Sequence, residues 1–282
     1  METINNPQEL QNLCLMLRSE GKKIGLVPTM GYFHEGHLSL MDAARKQCDV
    51  LIVSLFVNPT QFGENEDLDA YPHDLERDSR LAEEHGVDIL FTPTRDDMYF
   101  EDHCTWVEVP DLAANLCGKS RPVHFRGVAT VVTKLFMTAQ PHIAVFGQKD
   151  WQQLALIKRM VRDLNIPVNV QGHEIVREES GLAMSSRNVY LTAEEKSVAP
   201  NLQKGLKKMR DQVAGGETDP AKLKADLADF YAESIPGCSV DYIEIVDPEN
   251  INILKKVDES ALCAVAVQVG KARLIDNLLI KV

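Results

Sequence analysis

The stretch LVPTMGYFHEGHLSLMDAA, residues 26–44, joins a short apolar run to an amphipathic run through a turn that carries two histidines. Residues 24–27 have the composition of a β-strand. We expect that strand to end at Pro28, which has no N–H to donate to a central ladder. Gly31 and Gly36 let the backbone turn closely around a ligand. The stretch therefore predicts a strand that leads into a tight, ligand-accessible turn.

The segment after this turn predicts a helix with an anion site at its start. Apolar residues recur at helical spacing, at Leu38, Met41 and Ala44, so we expect the helix to begin at or near His37. Its first turn would offer unpaired backbone N–H groups and a partial positive charge. His34 and His37 would stand beside it with ring N–H donors, which suits the phosphates of a nucleotide.

Two histidines three residues apart have other interpretations. They could be a metal pair, or surface residues near a turn. A structural zinc site needs more ligands, and the HExxH spacing of metalloproteases is absent because the string here is HEGH.

Composition limits the class of protein. A chain of 282 residues with 44% hydrophobic content can bury a sizeable core, and its net charge of -12 argues against a general nucleic-acid surface. Residues 1–10 lack the features of a signal peptide, and apolar runs such as 261–267 are too short to span a bilayer. We therefore expect a cytoplasmic protein without a membrane or nucleic-acid partner. Six cysteines without a CxxC pair predict reduced thiols and no metal site.

Strand and helix patterns predict an α/β fold in two domains. Five apolar runs alternate with helical patterns and predict a Rossmann-like, doubly wound parallel sheet with right-handed crossovers, in a domain covering residues 1–176. These runs lie at 24–27, 49–57, 87–91, 143–146 and 168–176, and a short edge strand is expected at 106–109. The composition then shifts, and residues 177–282 predict a smaller α+β lid domain. Its predicted helices are 192–213 and 220–235, and its predicted strands are 240–246, 262–269 and 272–280.

Polar residues follow two of the predicted parallel strands. Asn58 and Gln61 come after the second strand, and their amides suit the hydroxyl and carboxylate groups of a small substrate, although an ordinary turn would look the same. After the strand at 143–146, Gly147 permits close backbone approach and Lys149 can neutralise phosphate. Gln153 falls in the first turn of the next helix, which faces the same end of the sheet.

Two further segments carry groups that could bind a nucleotide. The loop at 184–188 offers two hydroxyls and a guanidinium that could grip a triphosphate, although Ser-Ser-Arg is more often a helix cap or turn. Lys119, Arg121, His124 and Arg126 supply local positive charge in an acidic protein. Solvated loop charge is the alternative for this basic cluster.

Five strings, in order along the chain, carry a family resemblance. The chain resembles the pantoate–β-alanine ligases, within the HxGH nucleotidylyltransferase and class I synthetase superfamily. The strings are PTMGYFHEGH (28–37), FVNPTQF (56–62), HFRGV (124–128), FGQKDWQQ (146–153) and GLAMSSRN (181–188). The last of these occupies the place of the synthetases' mobile KMSKS-type loop.

The resemblance implies an activity and a set of site residues. The activity is the ATP-dependent joining of (R)-pantoate to β-alanine through a pantoyl adenylate, with Mg²⁺ on ATP, by a homodimer. The implied catalytic residues are His34, His37, Lys149 and Arg187. The implied ATP-binding residues are Met30, Gly31, Tyr32, Phe33, His34, Glu35, Gly36, His37, Gly147, Gln148, Lys149, Asp150, Val176, Met184, Ser185, Ser186 and Arg187. The implied pantoate and β-alanine contacts are Asn58, Gln61, Arg126 and Gln153.

Three positions depart from the family pattern without removing a reacting group. Gln148 replaces the usual glutamate, Trp151 replaces tyrosine or phenylalanine, and Ser180 replaces a common aspartate. Two other functions remain open from the sequence. One is an HxGH nucleotidylyltransferase that leaves the nucleotide joined to its product, and the other is a nucleotide sensor without activity.

Overall fold

The computed structural model describes residues 1–64, 66, 68 and 70–281, which divide into two compact units. The first unit comprises 1–109, 121–148 and 156–174, and the second comprises 110–120, 149–155 and 175–282. The break at 174 and 175 lies close to the expected boundary, but two short segments that precede it group with the second unit. A division into independent domains at 176 and 177 stays a prediction.

The first unit contains a parallel sheet of six strands among the described residues, in the order β1-β4-β3-β2-β5-β6. Strands β3 and β4 lie on one side of β2, and β5 and β6 lie on its other side. The switch point therefore lies between β2 and β5, where open α/β sheets bind ligands beyond the carboxyl ends of the strands. The doubly wound parallel sheet is confirmed. Its strands are β1 Glu2–Ile4, β2 Ile24–Thr29, β3 Val50–Leu55, β4 Ile89–Phe91, β5 Ile143–Gly147 and β6 Asn169–His173.

Several sequence expectations about this sheet need correction. Strand β1, which pairs with β4, has only three residues and no apolar run to indicate it. Strand β2 continues through Pro28 to Thr29, because its pairing with β5 ends at Leu26 and only the β3 side is paired beyond that point. Strand β6 is shorter than predicted. Residues 106–109, which the structure describes, form no strand.

Of the two helices predicted for residues 192–235, the second forms nearly as expected and the first is divided. Asn6 caps the first helix by accepting the N–H groups of Gln8 and Glu9, and Pro7 occupies its first position. The expected helix at 192–213 is broken before Pro200, which has no N–H to continue it. The helices are α1 Pro7–Ser19, α2 Glu35–Arg45, α3 Leu75–Glu84, α4 Arg95–Met98, α5 Pro110–Ala113, α6 Leu116–Ser120, α7 His124–Ala139, α8 Trp151–Asp163, α9 Ala193–Val198, α10 Asn201–Ala214 and α11 Pro220–Ser234.

The second unit is built on an antiparallel sheet with the order β7-β8-β9, formed by β7 Ser239–Val246, β8 Ala261–Val269 and β9 Ala272–Ile280. Its core joins Leu206 of α10, Leu227 and Tyr231 of α11, and Val265 of β8. Each fully buried aliphatic side chain of this kind contributes about 1.5–3 kcal/mol. In the part of the chain that the structure describes, none of the helices has the length and apolar composition of a membrane span.

Candidate active site

A buried carboxylate holds the turn after β2 in its left-handed conformation. Gly31 and Tyr32 have φ angles of 88° and 54°, and a residue with a side chain adopts such an angle at a cost. Asp78 of α3 is 1% exposed and accepts the N–H groups of Tyr32 at 2.6 Å and Phe33 at 2.7 Å. Burial raises the pKa of Asp78, against the lowering effect of these N–H groups and of Arg77. Asp78 thereby fixes the backbone that leads into α2.

His34 caps α2. Its Nδ1 accepts the N–H of Gly36 at 3.1 Å, and its carbonyl accepts the N–H of His37 at 2.7 Å. A backbone N–H can only donate, so Nδ1 is the acceptor and the neutral ring carries its proton on Nε2. This cap starts the helix at Glu35, two residues before the expected start at His37.

The two histidine rings stack on each other at the N-terminus of α2. Their centroids lie 4.1 Å apart with planes tilted by 30°, and the Phe33 ring lies 5.7 Å from His37. The helix has 11 residues, long enough for its N-terminus to favour an anion. The predicted pair of imidazoles therefore lies at a positive helix end beside the switch point of the sheet. The role of the pair in catalysis stays a prediction.

Asn58 lies in a buried network at the carboxyl end of β3. It is 1% exposed, and its Oδ1 accepts the hydroxyl groups of Tyr99 and Thr60, each at 3.0 Å. Its Nδ2 donates to the carbonyl of Gly127 at 3.1 Å and to Oε1 of Gln61 at 3.2 Å. The Asn58 oxygen thus accepts two hydrogen bonds and its nitrogen donates two, which suits a residue that orients Gln61. A direct Asn58 contact with substrate stays a prediction.

The network sets the direction of the Gln61 side chain. Gln61 is 7% exposed, and with Oε1 facing Asn58 its Nε2 donates to the Met30 sulfur at 3.0 Å. Met30 precedes the left-handed turn after β2. The structure therefore places Gln61 against Met30, at the start of the turn that leads to HEGH, and a shared substrate site stays a prediction.

The predicted basic cluster is divided among separate contacts. Arg121 forms an ion pair with Glu66, and its Nε lies 2.8 Å from Oε1. His124 Nδ1 lies 3.0 Å from the carbonyl oxygen of Gln61. Arg126 is exposed and stacks 4.7 Å from the Trp106 ring centroid, whereas Lys119 belongs to the second unit. In the first unit, Arg121, His124 and Arg126 therefore have separate partners, and a role of their charge in nucleotide binding stays a prediction.

In the second unit, Lys149 lies in the turn Gln148–Asp150 between β5 and α8. Its carbonyl oxygen accepts the side-chain N–H of Asn277 at 2.9 Å. Burial lowers the pKa of Lys149, and the charge of Arg187 lowers it further, whereas Asp150 and Asp276 act in the opposite direction. The two cations predicted to hold phosphates are therefore close enough to affect each other.

The segment that carries Ser185, Ser186 and Arg187 follows a small hairpin. Met184 donates its N–H to the carbonyl of Val176 at 3.0 Å, which closes the hairpin. Ser185 Oγ accepts the N–H of Arg187 at 3.2 Å and caps the turn Ser186–Tyr190. The capping interpretation of Ser-Ser-Arg is therefore confirmed, and a hydroxyl that accepts one N–H can still donate to a phosphate.

The remaining predicted contacts lie around the end of β5 and the start of α8. A Cβ added to Gly147 would meet open space, so the backbone there is accessible. Gln153 is half-buried in the first turn of α8, next to Gln152, which bonds to carbonyl oxygens in the 110–120 segment. The indole N–H of Trp151 donates to the Pro248 carbonyl at 2.8 Å, which gives this departure from the family pattern a structural partner.

The donor set shows how the site could accept Mg²⁺. Among the described residues, three or more His, Cys, Asp or Glu side chains are nowhere grouped as a protein metal cage requires. Mg²⁺ commonly keeps several waters and binds through substrate phosphates with one or two carboxylates, and Asp150 beside Lys149 could supply one. The residues therefore fit a metal that ATP brings with it.

The sequence patterns did not identify three residues that hold the predicted site residues in place, which are Asp78, Asn277 and Tyr99. Asp78 stands three and four residues before Leu81 and Ala82, on the inner face of α3, and that position was a usable signal. Asn277 follows Asp276 inside the otherwise apolar run 274–280, and this interruption was a second usable signal. Tyr99 carried no pattern that links it to Asn58.

Comparisons with known proteins agree on one family. The pantoate–β-alanine ligase family profile matches residues 2–279. A pantothenate synthetase of Maridesulfovibrio salexigens is 87% identical over 282 residues, covering 100% of both chains. A crystal structure of the Thermus thermophilus enzyme is 45% identical with a TM-score of 0.92, covering 99% of both chains. A Francisella tularensis pantoate–β-alanine ligase, solved with β-γ ATP and β-alanine, is 34% identical with a TM-score of 0.80 over 99% of this chain and 97% of that chain.

The parallel sheet, its switch point and the stacked histidines at a helix start define an α/β enzyme of the HxGH nucleotide-using class. Within that class, the chain belongs to the pantoate–β-alanine ligase family. It is therefore a ligase of pantothenate biosynthesis that uses ATP, as the resemblance in the sequence predicts.

Proposed function

We propose that the chain condenses (R)-pantoate with β-alanine in two steps through a pantoyl adenylate, releasing pantothenate, AMP and pyrophosphate. The observation that carries the proposal is the stacked pair of His34 and His37 at the start of α2. A helix N-terminus favours phosphate, and imidazole N–H groups can donate to it. The β-γ ATP and β-alanine bound to the Francisella relative support the same substrates for this chain.

The chemistry needs activation of a carboxylate. In the first step a pantoate carboxylate oxygen attacks the α-phosphorus of ATP, and the bond to the β-phosphate breaks so that pyrophosphate leaves. In the second step the β-alanine amine attacks the acyl carbon, AMP leaves with the bridging oxygen, and the nitrogen loses a proton. Because the protein supplies no covalent nucleophile in this scheme, it acts by alignment and by stabilising charge on phosphate oxygens.

The family resemblance supports the assignment of the phosphate contacts. His34 donates from Nε2, since its Nδ1 is used by Gly36, and His37 acts as the proton donor toward the reacting phosphate. Lys149 and Arg187 balance the negative charge that develops as pyrophosphate leaves. Ser185 and Ser186 add hydroxyl donors, and the backbone from Met30 through Tyr32, Phe33, Glu35 and Gly36 lines the nucleotide.

The remaining contacts rest on the family resemblance. Gln61, preset by Asn58 and Met30, holds pantoate together with Gln153, and Arg126 is a further contact. The ribose and adenine are framed by Gly147, Asp150, Val176 and Met184, with Val176 acting through its backbone. Gln148 is a further ATP contact. Mg²⁺ would arrive with ATP, where Asp150 would supply one carboxylate to hold it, and would add positive charge at the phosphates. The resemblance also supports a homodimer in the cytoplasm.

An isotope experiment tests the adenylate directly. Pantoate labelled with ¹⁸O in its carboxylate is incubated with ATP, Mg²⁺ and β-alanine, and the products are examined by mass spectrometry. We expect one ¹⁸O in AMP and one in the pantothenate amide, because the attacking oxygen stays on phosphorus. Unlabelled AMP, or label in inorganic phosphate with ADP as the nucleotide product, would exclude the adenylate.

Variants test the residue roles. His37→Ala and Lys149→Ala should each lower kcat about 100-fold or more, because each removes charge or proton donation at the reacting phosphate. Their circular dichroism spectra should match wild type. Lys158→Ala, which removes an exposed lysine from α8, is the matched control and should retain full activity. Near-normal turnover in both site variants would contradict the assigned roles.

A further inference from the structure

Two adjacent polar residues interrupt the apolar run 274–280 of β9. Asp276 and Asn277 are 3% and 5% exposed, and they pair across the sheet with Val265 and Ala264 of β8. Successive residues of a strand point to opposite faces of the sheet, so the two side chains serve different partners. The proposed activity gives neither side chain a task.

Asp276 is joined to Arg177 by a bidentate ion pair. The two guanidinium nitrogens lie 2.7 Å and 2.9 Å from the carboxylate oxygens, and Arg177 also donates to the carbonyl of Gly181 at 3.2 Å. The Asp276 Oδ1 atom accepts the backbone N–H of Asn277 at 2.8 Å. The ion pair therefore anchors the 176–184 hairpin and fixes the backbone of Asn277.

Asn277 in turn holds the backbone of Lys149. Its Nδ2 donates to the Lys149 carbonyl oxygen at 2.9 Å, across 128 residues of sequence. Lys149 is in a three-residue turn, Gln148–Asp150, which lacks the internal hydrogen bonding of a longer helix. A bond from a rigid strand to this carbonyl limits where the Lys149 side chain can reach.

Stability alone does not account for this arrangement. A buried ion pair seldom makes a protein more stable than well-packed apolar residues in the same place, because both charges lose their hydration. The Lys224–Glu244 ion pair of the same unit loses less hydration, because its side chains are 31% and 25% exposed. The Arg177–Asp276 pair, at 18% and 3%, is far more buried.

We propose that Asn277 is a positioning residue for Lys149, kept in place by the Asp276–Arg177 ion pair. The inference rests on the proposed function, in which Lys149 holds ATP phosphates. Asn277 acts through the lysine and does not itself contact a reacting atom.

A double-mutant cycle tests the proposal. Asn277→Ala should lower kcat/KM for ATP about 3- to 10-fold, the range expected when one neutral hydrogen bond is lost, with KM for β-alanine unchanged. In a Lys149→Ala background the same substitution should change kcat/KM for ATP less than about twofold, because its target is gone. Gln268→Ala, which removes an amide-to-carbonyl bond of 2.9 Å at the end of β8, is the matched control and should leave kcat/KM at the wild-type value.

Each outcome separates the two proposals. An equal loss of activity from Asn277→Ala in both backgrounds, or none in either, overturns the positioning role and leaves the function of Lys149 intact. Full activity of Lys149→Ala overturns the proposed role of the lysine instead. If Asn277→Ala does not fold, Asn277→Leu, which roughly keeps the volume, lacks the donor and adds no charge, carries the same cycle with the same expected coupling.

Discussion

The backbone N–H of Tyr32 donates to the buried Asp78 carboxylate at 2.6 Å, which ties the left-handed turn of the HEGH segment to α3. Asp78→Ala would leave this N–H and that of Phe33 without their acceptor. Each unsatisfied buried donor costs about 1–3 kcal/mol, so we expect the free energy of unfolding to fall by about 2–5 kcal/mol. Urea titration measures the fall, and kcat/KM for ATP should fall as well because His34 follows this turn.

An exposed residue of α3 provides the control for Asp78. Arg80 forms an ion pair with Glu84, and both side chains are more than half exposed. Arg80→Ala should therefore cost no more than about 0.5 kcal/mol and leave the kinetics unchanged. A loss from Asp78→Ala no larger than that of Arg80→Ala would show that the turn holds its shape without the carboxylate.

His34 combines two tasks that substitutions can separate. His34→Ala removes the cap of α2 and should cost about 1 kcal/mol of stability as well as most of the activity. His34→Asn restores a capping oxygen but places no imidazole donor at the phosphate. We expect thermal denaturation to show near-wild-type stability for His34→Asn, while its kcat stays about 100-fold down. Recovery of activity together with stability would mean that capping is the only role of His34.

The Tyr99 hydroxyl should influence pantoate binding without touching pantoate. It donates to Asn58, which in turn orients the Gln61 amide. Tyr99→Phe removes one neutral hydrogen bond of the network, and we expect KM for pantoate to rise about 2- to 10-fold with KM for ATP little changed. Steady-state kinetics with each substrate varied in turn measures the difference.

Tyr231→Phe is the matched variant for Tyr99→Phe. The Tyr231 hydroxyl donates to the Leu202 carbonyl at 2.8 Å in the core of the second unit. Its loss should lower stability by about 1 kcal/mol and leave KM for pantoate at its wild-type value. A rise in KM of equal size in both variants would point to general loosening of the protein rather than to Gln61.

The Arg121–Glu66 ion pair should make stability depend on pH. Burial acts to raise the pKa of Glu66, but the hydrogen bond and charge of Arg121 outweigh it and hold that pKa below its ordinary value of 4.5. A depressed carboxyl pKa contributes stability above the unfolded pKa that is lost as the pH falls through the folded pKa. We expect Glu66→Gln to be less stable than wild type by about 1–2 kcal/mol at pH 7.

The same difference should shrink as the pH falls below 4.5, where Glu66 takes up a proton first in the unfolded and then in the folded chain. Urea unfolding of wild type and Glu66→Gln, measured from neutral pH to below 4.5, gives the difference in their free energies of unfolding. Glu84→Gln, at an exposed ion pair, should show almost no difference at any pH. A difference for Glu66→Gln that is independent of pH would contradict the electrostatic explanation.

Local patterns predicted much of the fold. The strand β9 was expected at 272–280 and has those bounds, and the helix expected at 220–235 forms as α11, Pro220–Ser234. Hydrophobic periodicity, turn residues and helix caps each involve residues that are close in sequence, so sequence alone can reveal them. The parallel sheet of the first unit also followed, from the alternation of strands and helices.

Contacts between distant parts of the chain could not be predicted in this way. Tyr32 and Asp78 are 46 residues apart, and Lys149 and Asn277 are 128 residues apart. Nothing local in the sequence tells which buried carboxylate or amide will meet which backbone group. The same limit explains Arg121, whose charge appeared available for a nucleotide but is paired with Glu66.

The ratio of AMP to pantothenate formed by the purified protein from ATP, Mg²⁺, (R)-pantoate and β-alanine tests the proposed function most directly. We expect equal amounts of the two products, with pyrophosphate, and sustained AMP release only when both pantoate and β-alanine are present. ADP as the nucleotide product, AMP that remains joined to a product, or no turnover despite ATP binding would contradict it.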